Sequence, residues 1–215
     1  ENKCIMKQEV LTEYEAERIL KKYNLPISKN QLIKSFSEIK LKKYPLVLKI
    51  MSKQVIHKSE IKGVRIVHNK EESEKNFKEL LAIVKRRKIK LQGILVQEYH
   101  EGLQVIIGIK KDPVFGHVIL CGAGGIYTEI LKDVSIRTCP ITIKDAESMI
   151  NNLKVKEVFY GARSLKVNVK NLQKILVKTS QIPLKYKKIQ ELDINPLILN
   201  EKTEKIVDAR MIIEK

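Results

Sequence analysis

Residues 46–64, which read LVLKIMSKQVIHKSEIKGV, place a polar loop between two short apolar runs. The first run, Leu46 to Ile50, is apolar except for Lys49, and its composition predicts a buried β-strand. The second run, Gly63 to Val67, predicts another short strand. Between them lies His57, and a neutral imidazole in such a loop can act as a nucleophile near neutral pH. An ordinary surface side chain is the alternative for a single loop histidine.

Two features predict contacts with an anionic ligand. A lysine within a buried strand is costly unless its ammonium group meets an anion, so Lys49 predicts a ligand contact, with solvent exposure as the alternative. The run Gly122-Ala123-Gly124-Gly125 lets the backbone approach a ligand closely, and its N–H groups can hold an anion. A short glycine cluster is also typical of a plain turn.

The composition limits the classes of function. The 215 residues carry 42 Lys and Arg against 25 Asp and Glu, so the net charge is +17. This excess predicts attraction to nucleic acid, nucleotides or an acidic protein, with a lysine-rich solvated surface as the alternative. Aromatic residues make up 5% and Trp is absent, so stacking platforms for nucleic-acid bases are scarce.

The chain carries none of the usual signals for membrane insertion or secretion. No apolar run reaches the roughly 18 residues of a membrane span. The N-terminal stretch lacks the layout of a signal peptide. Three cysteines without a CxxC pair or metal-ligand spacing are typical of structural thiols in a reducing compartment. We therefore expect a cytoplasmic protein without membrane contact.

Capping boxes and apolar spacing predict the helices, and apolar runs predict the strands. The box at Thr12 and Glu15 opens a helix over 12–23, and the box at Ser35 and Glu38 opens a short helix that ends before Tyr44. A further helix follows Asn69, others cover 143–153 and 169–181, and the remaining strands cover 93–99, 103–110, 117–121, 188–199 and 206–210.

Residues 126–137 alternate charged and apolar side chains. The charged residues are Glu129, Lys132, Asp133 and Arg137. This alternation predicts a strand that lines a charged cleft.

The last strand pair carries three side chains with oxygen atoms suited to a metal. Asp193 and Asn195 alternate with apolar residues and so project from one face, which Asp208 on the returning strand can join. Carboxylate and amide oxygens suit Mg²⁺, with water and phosphate oxygens completing its shell. A solvent-facing polar surface is the alternative, and we favour it for Glu191. Because Asn195-Pro196 is unsuited to a plain strand, we favour a functional site for the other three.

Together these features predict a phosphate and magnesium site that is not a P-loop. GxxxxGK[ST], GxGxxG and GxSxG are absent, which argues against P-loop, Rossmann and serine hydrolase sites. The combination resembles an ATP-grasp domain, an α/β fold of two lobes with the nucleotide between them. More narrowly, the sequence is similar to the β subunits of ADP-forming acetyl-CoA synthetases, relatives of the succinyl-CoA synthetase β chain. The segments that carry the resemblance are 46–50, 56–60, 95–99, 122–126, 131–135, 191–196 and 207–210.

The resemblance implies an organisation and an activity. The first lobe would cover residues 24–97 and the second 98–215, with the helix at 12–23 packing on the second. The enzyme would convert acyl-CoA, phosphate and ADP into free acid, CoA and ATP, using Mg²⁺. An α subunit would carry the CoA and acyl site and its own phosphohistidine, in an α2β2 assembly.

The resemblance also implies a role for each candidate residue. His57, on a mobile loop, would relay the phosphoryl group to ADP, and Asp193 would hydrogen-bond its phosphorylated imidazole. Asn195 and Asp208 would hold Mg²⁺. The expected nucleotide contacts are Lys49, Glu98 and Tyr99 at the adenine hinge, Gln104 in place of the ribose-binding glutamate of relatives, Gly124, Gly125 and Arg137.

Two other functions are compatible with part of the pattern. A stand-alone ATP-grasp carboxylate ligase would keep the fold and work without a partner, although the chain is short for a dedicated acceptor domain. A basic nucleic-acid-binding module would explain the charge of +17. We favour the acyl-CoA synthetase subunit, and expect no nucleic-acid partner, because anionic ligands and a lysine-rich surface also explain the charge.

Overall fold

The computed structural model describes residues 8–55, 58–125, 133–161 and 167–215, which form a mixed α/β structure. The helices are α1 (Glu13–Lys22), α2 (Lys70–Arg86), α3 (Ile143–Asn151), α4 (Val169–Ser180) and α5 (Ile182–Lys185). The strands are β1 (Gln8–Leu11), β2 (Asn30–Ile33), β3 (Leu46–Met51), β4 (Val64–Val67), β5 (Gly93–Glu98), β6 (Leu103–Asp112), β7 (Gly116–Ala123), β8 (Val134–Thr138), β9 (Ile189–Leu199), β10 (Glu204–Ile206) and β11 (Ala209–Glu214).

The described residues divide into two compact units. One unit is Ser28–His100, and the other combines residues of Glu1–Ile27 with those of Glu101–Lys215. These boundaries lie after Ile27 and His100, whereas the predicted lobes were divided at residues 24 and 97. The larger unit includes α1, which contacts β11.

The larger unit is built on an antiparallel sheet with the strand order β1-β11-β9-β6-β7-β8, and β10 pairs with β9. Alternate residues of the central strands, such as Ile107, Ile109, Leu192 and Ile194, are buried in one core. Apolar side chains of α1, α3 and α4 belong to the same core. The residues between these positions, such as Gly108 and Asp193, therefore project from the opposite face of the sheet, which we call the open face.

The smaller unit is a four-stranded antiparallel sheet, in the order β2-β5-β3-β4, with α2 on one face. Phe77, Leu80 and Ile83 of α2 pack with Leu46, Leu48 and Ile50 of β3. Asn69 caps the helix by accepting the N–H of Glu72 at 2.8 Å, as its sequence pattern predicts.

The helix predicted after Ser35 is only a 3₁₀ turn over Phe36–Glu38. The carboxylate of Glu38 accepts the N–H of Ser35 at 2.9 Å, so part of the predicted box is present. The side chain of Gln31, however, donates to the Glu38 carbonyl and accepts the N–H of Lys40 at 2.9 Å. These bonds replace the ones a continuing helix would need, and the chain becomes extended at Ile39.

Two strand predictions also need correction. The returning strand predicted over 206–210 is divided into β10 and β11, with Val207 and Asp208 between them. Residues 126–132 of the strand predicted over 126–137, including Glu129 and Lys132, lie outside the described residues, and Val134–Thr138 form β8. Asp133 does not line an open cleft, because its buried carboxylate accepts the N–H groups of Lys154 and Val155, both at 2.9 Å.

No helix within the described ranges is long and apolar enough to cross a membrane.

Candidate functional site

The two predicted metal residues, Asn195 and Asp208, lie beside each other at an irregularity of β9 in the larger sheet. Val105 and Ile107 of β6 pair with Leu197 and Ile194 of β9, so β9 carries an extra residue at Asn195-Pro196. Such a β-bulge redirects side chains and is common beside active sites. The N–H of Asn195 donates to the carbonyl of Asp208 at 3.1 Å, which places the two predicted metal residues side by side.

Asp193 lies on the open face, away from the core, since it alternates with the buried residues Leu192 and Ile194. Burial raises the pKa of its carboxyl, and the negative charge of Glu191 raises it further, while the positive charge of Arg210 acts in the opposite direction. Raised carboxyl pKa values are frequent where a side chain is used in chemistry. Asp193 is therefore a partly desolvated acceptor beside the Asn195 and Asp208 pair.

Gln104, Gly124 and Gly125 meet at the end of the β6–β7 pair. The N–H of Gly124 donates to the carbonyl of Gln104 at 2.7 Å. A Cβ on Gly124 would lie 2.9 Å from the Cβ of Gln104, so only glycine allows this approach. Gly125 has a φ of +64°, which also favours glycine. The exposed Gln104 side chain shares the open face with Asp193, because both occupy positions between core residues of their strands.

Lys49 lies in the smaller unit, in the middle of β3, with 6% of its surface exposed. Directly opposite it are Val64 of β4 and Leu95 of β5. It alternates with Leu48 and Ile50, so its side chain is on the face that α2 does not cover. The strand therefore places Lys49, buried, on the face away from the helix.

Glu98 and Tyr99, the predicted hinge, follow β5 in the same unit. Glu98 is directly opposite Leu46, on the α2 side of the sheet, so its side chain and Lys49 are on opposite faces. The N–H of Tyr99 donates to the carbonyl of Pro45 at 3.3 Å. The structure therefore does not bring the Glu98 and Lys49 side chains together.

A buried hydroxyl supports the Glu98 backbone. Ser28 Oγ donates to the carbonyl of Glu98 at 3.1 Å and lies 2.9 Å from Nε2 of His100. Ser28 and His100 are the first and last residues of the smaller unit. This contact joins residues 72 positions apart, and nothing in the local sequence pattern predicts it.

The structure places Arg137 apart from the Asp193 group. It is directly opposite Ile119, a core residue, and therefore lies on the helix-covered face of the sheet. Its guanidinium donates to Ser148 of α3 at 3.1 Å. Arg137 thus lies against a helix rather than in the predicted charged cleft, which argues against its predicted nucleotide contact.

The predicted nucleophile, His57, lies outside the described residues. Cys121 and Cys139, the two described thiols, are no substitute for it. Burial raises the pKa of Cys121 to about 12 and that of Cys139 to about 11, so both remain protonated at neutral pH.

Asn195 and Asp208 could supply only part of the ligand shell of Mg²⁺. Across the described ranges, no group of three or more His, Cys, Asp and Glu side chains could hold a metal ion by itself. Asn195 and Asp208 offer one amide and one carboxylate, which are hard oxygen ligands. Such a pair suits an ion that takes its other ligands from water and phosphate. The donor set therefore fits a magnesium nucleotide better than a free ion.

Comparisons with known proteins identify the family of this chain. The ATP-grasp domain family model matches residues 5–213. The β subunit of acetate–CoA ligase (ADP-forming) I from Pyrococcus furiosus is 40% identical over 215 residues, which is 94% of this chain and 91% of the relative. A structure of the dinucleotide forming acetyl-coenzyme A synthetase 1 of Ca. Korarchaeum cryptofilum, with coenzyme A, Ca-AMPCP and HgCl+, matches with a TM-score of 0.92 and 36% identity over 96% of this chain and 94% of that one.

A second structure of the Korarchaeum enzyme contains coenzyme A and Mg-AMPPCP, and its phosphohistidine segment points towards the nucleotide binding site. It matches with a TM-score of 0.84 and 34% identity over 95% of this chain and 93% of that one. In that relative, a magnesium nucleotide and a phosphohistidine segment occur in one enzyme.

Proposed function

The chain belongs to the ATP-grasp domain family, and from this premise we propose that it is the nucleotide-binding β subunit of an ADP-forming acyl-CoA synthetase. It transfers a phosphoryl group between a histidine and ADP, with Mg²⁺ bound to the nucleotide. The observation that carries the proposal is the grouping of Asp193, Asn195 and Asp208 around the bulge of β9, in a chain that shares 40% identity with such a subunit.

In this proposal, residues of the larger unit hold Mg²⁺ and orient the phosphorylated imidazole. Asn195 and Asp208 hold Mg²⁺, which neutralises phosphate charge when bound. Asp193 accepts a hydrogen bond from the ring nitrogen of the phosphorylated imidazole that does not bear phosphate. Gly125 offers its backbone N–H group to the nucleotide, Gly124 lets the backbone approach the nucleotide closely, and Gln104 contacts its ribose.

The smaller unit supplies a cation and a backbone segment. Lys49 contacts nucleotide phosphates, because a buried ammonium is stabilised by an anion. Glu98 and Tyr99 contact the adenine, with the Glu98 carbonyl fixed by Ser28. His57 receives the phosphoryl group from the partner and passes it to ADP.

We also propose that the chain works with an α subunit. The relatives that it matches along most of their length are named β subunits, which supports a partner subunit. In our proposal this partner carries the CoA and acyl site and its own phosphohistidine, and the assembly is α2β2. Acyl specificity then resides on the α subunit.

Phosphorylation of the assembled enzyme tests the proposal. The chain is co-purified with its native partner and incubated with Mg²⁺ and ATP labelled in the terminal phosphate. We expect an acid-labile label on this chain at His57, and its discharge on addition of ADP. Two results contradict the proposal: full turnover of acyl-CoA by the purified chain alone, or wild-type ATP formation by the assembled His57→Ala variant.

A further inference from the structure

Arg210 lies directly opposite Asp193 on the neighbouring strands β11 and β9. Opposed residues of an antiparallel pair project to the same face, with their Cβ atoms about 4.5–5.5 Å apart. Arg210 therefore lies on the open face, beside the carboxylate proposed to orient the phosphorylated imidazole.

The guanidinium of Arg210 has an N–H donor without an acceptor among the described residues. Its Nε is buried and has no hydrogen-bond partner among the described residues. No ion pair links it to a described carboxylate, although Asp193 is its neighbour across the strands. A buried donor without an acceptor is costly, whereas a guanidinium matches the oxygens of a phosphoryl group with two parallel bonds. These observations point to an anion as the missing acceptor.

The other neighbour of Asp193 across the sheet is a glycine. Gly108 of β6 is directly opposite Asp193 on the side away from Arg210. A Cβ at Gly108 would come no closer than 3.7 Å to other atoms, so the packing there does not require glycine. Gly108 therefore places no side chain beside the carboxylate. One row of the sheet thus presents a guanidinium, a carboxylate and a glycine.

We propose that Arg210 is a further catalytic residue, which binds the phosphoryl group while it passes between imidazole and nucleotide. This inference rests on the proposed function. In the step towards ATP, the N–P bond of the phosphorylated imidazolium breaks, and a bond forms between phosphorus and a terminal oxygen of ADP. The electron pair of the N–P bond returns to the ring nitrogen. The ring leaves neutral, because it keeps the proton on its other nitrogen, which hydrogen-bonds Asp193.

The role of Arg210 in this step is electrostatic. The phosphoryl group and the terminal phosphate of ADP are both negative, and they approach each other during transfer. A fixed guanidinium beside them stabilises the transition state more than it stabilises bound ADP, which lacks the transferred group. Its loss should therefore slow transfer without weakening ADP binding to the same degree.

The test compares Arg210→Gln and Arg210→Lys with Arg18→Gln, which removes the same charge from an exposed position on α1. The assembled enzyme is phosphorylated with MgATP, and transfer to ADP is followed in a single turnover. We expect Arg210→Gln to slow transfer by about 100-fold or more. The lysine variant, which keeps the charge but not the two parallel bonds, should remain at least about tenfold slow. Arg18→Gln should behave as wild type.

Two further measurements separate catalysis from structure. Calorimetry with MgADP should give dissociation constants within about twofold of wild type for each variant, because ADP carries no transferred phosphoryl group. Guanidinium ion at millimolar concentration should restore part of the transfer rate in Arg210→Ala. A purely structural role predicts instead weaker ADP binding or a lower unfolding midpoint in the variants, with no rescue.

The result that overturns the Arg210 assignment is wild-type transfer by folded Arg210→Gln. If the glutamine variant does not fold, wild-type transfer by Arg210→Lys overturns it equally. Failure of the proposed function has a different signature, because the wild-type assembly itself would then take up no label from ATP.

Discussion

The N–H of Asn195 donates to the carbonyl of Asp208 at a distance of 3.1 Å, across the β-bulge of β9. This backbone bond holds the two residues side by side, one with an amide side chain and one with a carboxylate. The pair is the proposed Mg²⁺ site. Because Asn195 belongs to β9 and Asp208 lies between β10 and β11, the site depends on correct pairing of the C-terminal segment.

Asp208→Asn should weaken the response of the enzyme to Mg²⁺. The substitution keeps the size of the side chain but removes the negative charge that a hard cation prefers. Since groups that merely support metal ligands are worth about 10- to 100-fold in affinity, we expect at least a tenfold rise in the Mg²⁺ concentration for half-maximal activity. Glu201→Gln, in the exposed turn after β9, removes the same charge and is the control. Equal Mg²⁺ curves for both variants would contradict the assignment.

Lys49→Met should weaken nucleotide binding. The variant keeps an unbranched chain in β3 but removes the buried ammonium. A hydrogen bond to a charged group is commonly worth about 1.5–3 kcal/mol, which corresponds to roughly a 10- to 100-fold rise in the dissociation constant for MgADP. Calorimetry measures this dissociation constant, and Lys75→Met, on the exposed side of α2, is the control. Unchanged affinity in a folded Lys49→Met protein would remove Lys49 from the site.

Asp193→Asn should stabilise the protein at neutral pH while it slows phosphoryl transfer. Burial, followed by the charge of Glu191, raises the pKa of Asp193, so its charged form is disfavoured in the folded state. Folded protein then holds the proton more tightly than unfolded protein, and stability falls as the pH rises from the ordinary Asp pKa through the raised one. The asparagine side chain does not ionise, so the variant does not lose stability in this way as the pH rises.

Thermal unfolding without Mg²⁺ or nucleotide, measured between pH 3 and pH 8, checks this prediction. We expect Asp193→Asn to unfold at a higher temperature than wild type near pH 7, with the difference shrinking towards pH 3 as the wild-type carboxyl becomes protonated. A lower unfolding temperature at pH 7 would mean that Arg210 stabilises the charged carboxylate more than burial disfavours it.

Gly124→Ala should destabilise the larger unit. An added Cβ would lie 2.9 Å from the Cβ of Gln104, so the ends of β6 and β7 would have to separate. Overpacking of this kind commonly costs about 1–3 kcal/mol. Gly108→Ala, where the nearest atoms are 3.7 Å away, should change the free energy of unfolding by less than about 1 kcal/mol. Denaturant unfolding measures both, and equal stabilities would contradict the close-approach argument.

Much of the fold follows from local sequence patterns. Capping residues such as Thr12 and Asn69 begin α1 and α2 where predicted, because their side chains bond N–H groups only three residues away. The alternation around Asp193 likewise predicts its open face, since the period of a strand is two. The ATP-grasp fold and the similarity to ADP-forming acetyl-CoA synthetase β subunits are confirmed by the family match and the relatives.

The same local reasoning was wrong where distant residues intervene. Gln31 stops the helix after Ser35 by bonding Glu38 and Lys40. The pairing of β8 with β7 turns Arg137 towards the helices rather than towards Asp193. A short charged pattern does not encode which face of a sheet its residues will occupy, because the register of the neighbouring strand decides it.

The sequence by itself therefore determined the elements, the family and most of the candidate residues, because these depend on contacts within a few positions or on motifs in a fixed order. Only the tertiary structure decided which of them meet. It brought Asn195 beside Asp208 across a bulge, joined Ser28 to His100, and set Arg210 opposite Asp193. Each of these relationships depends on strand register or on contacts between distant segments, which the completed fold establishes.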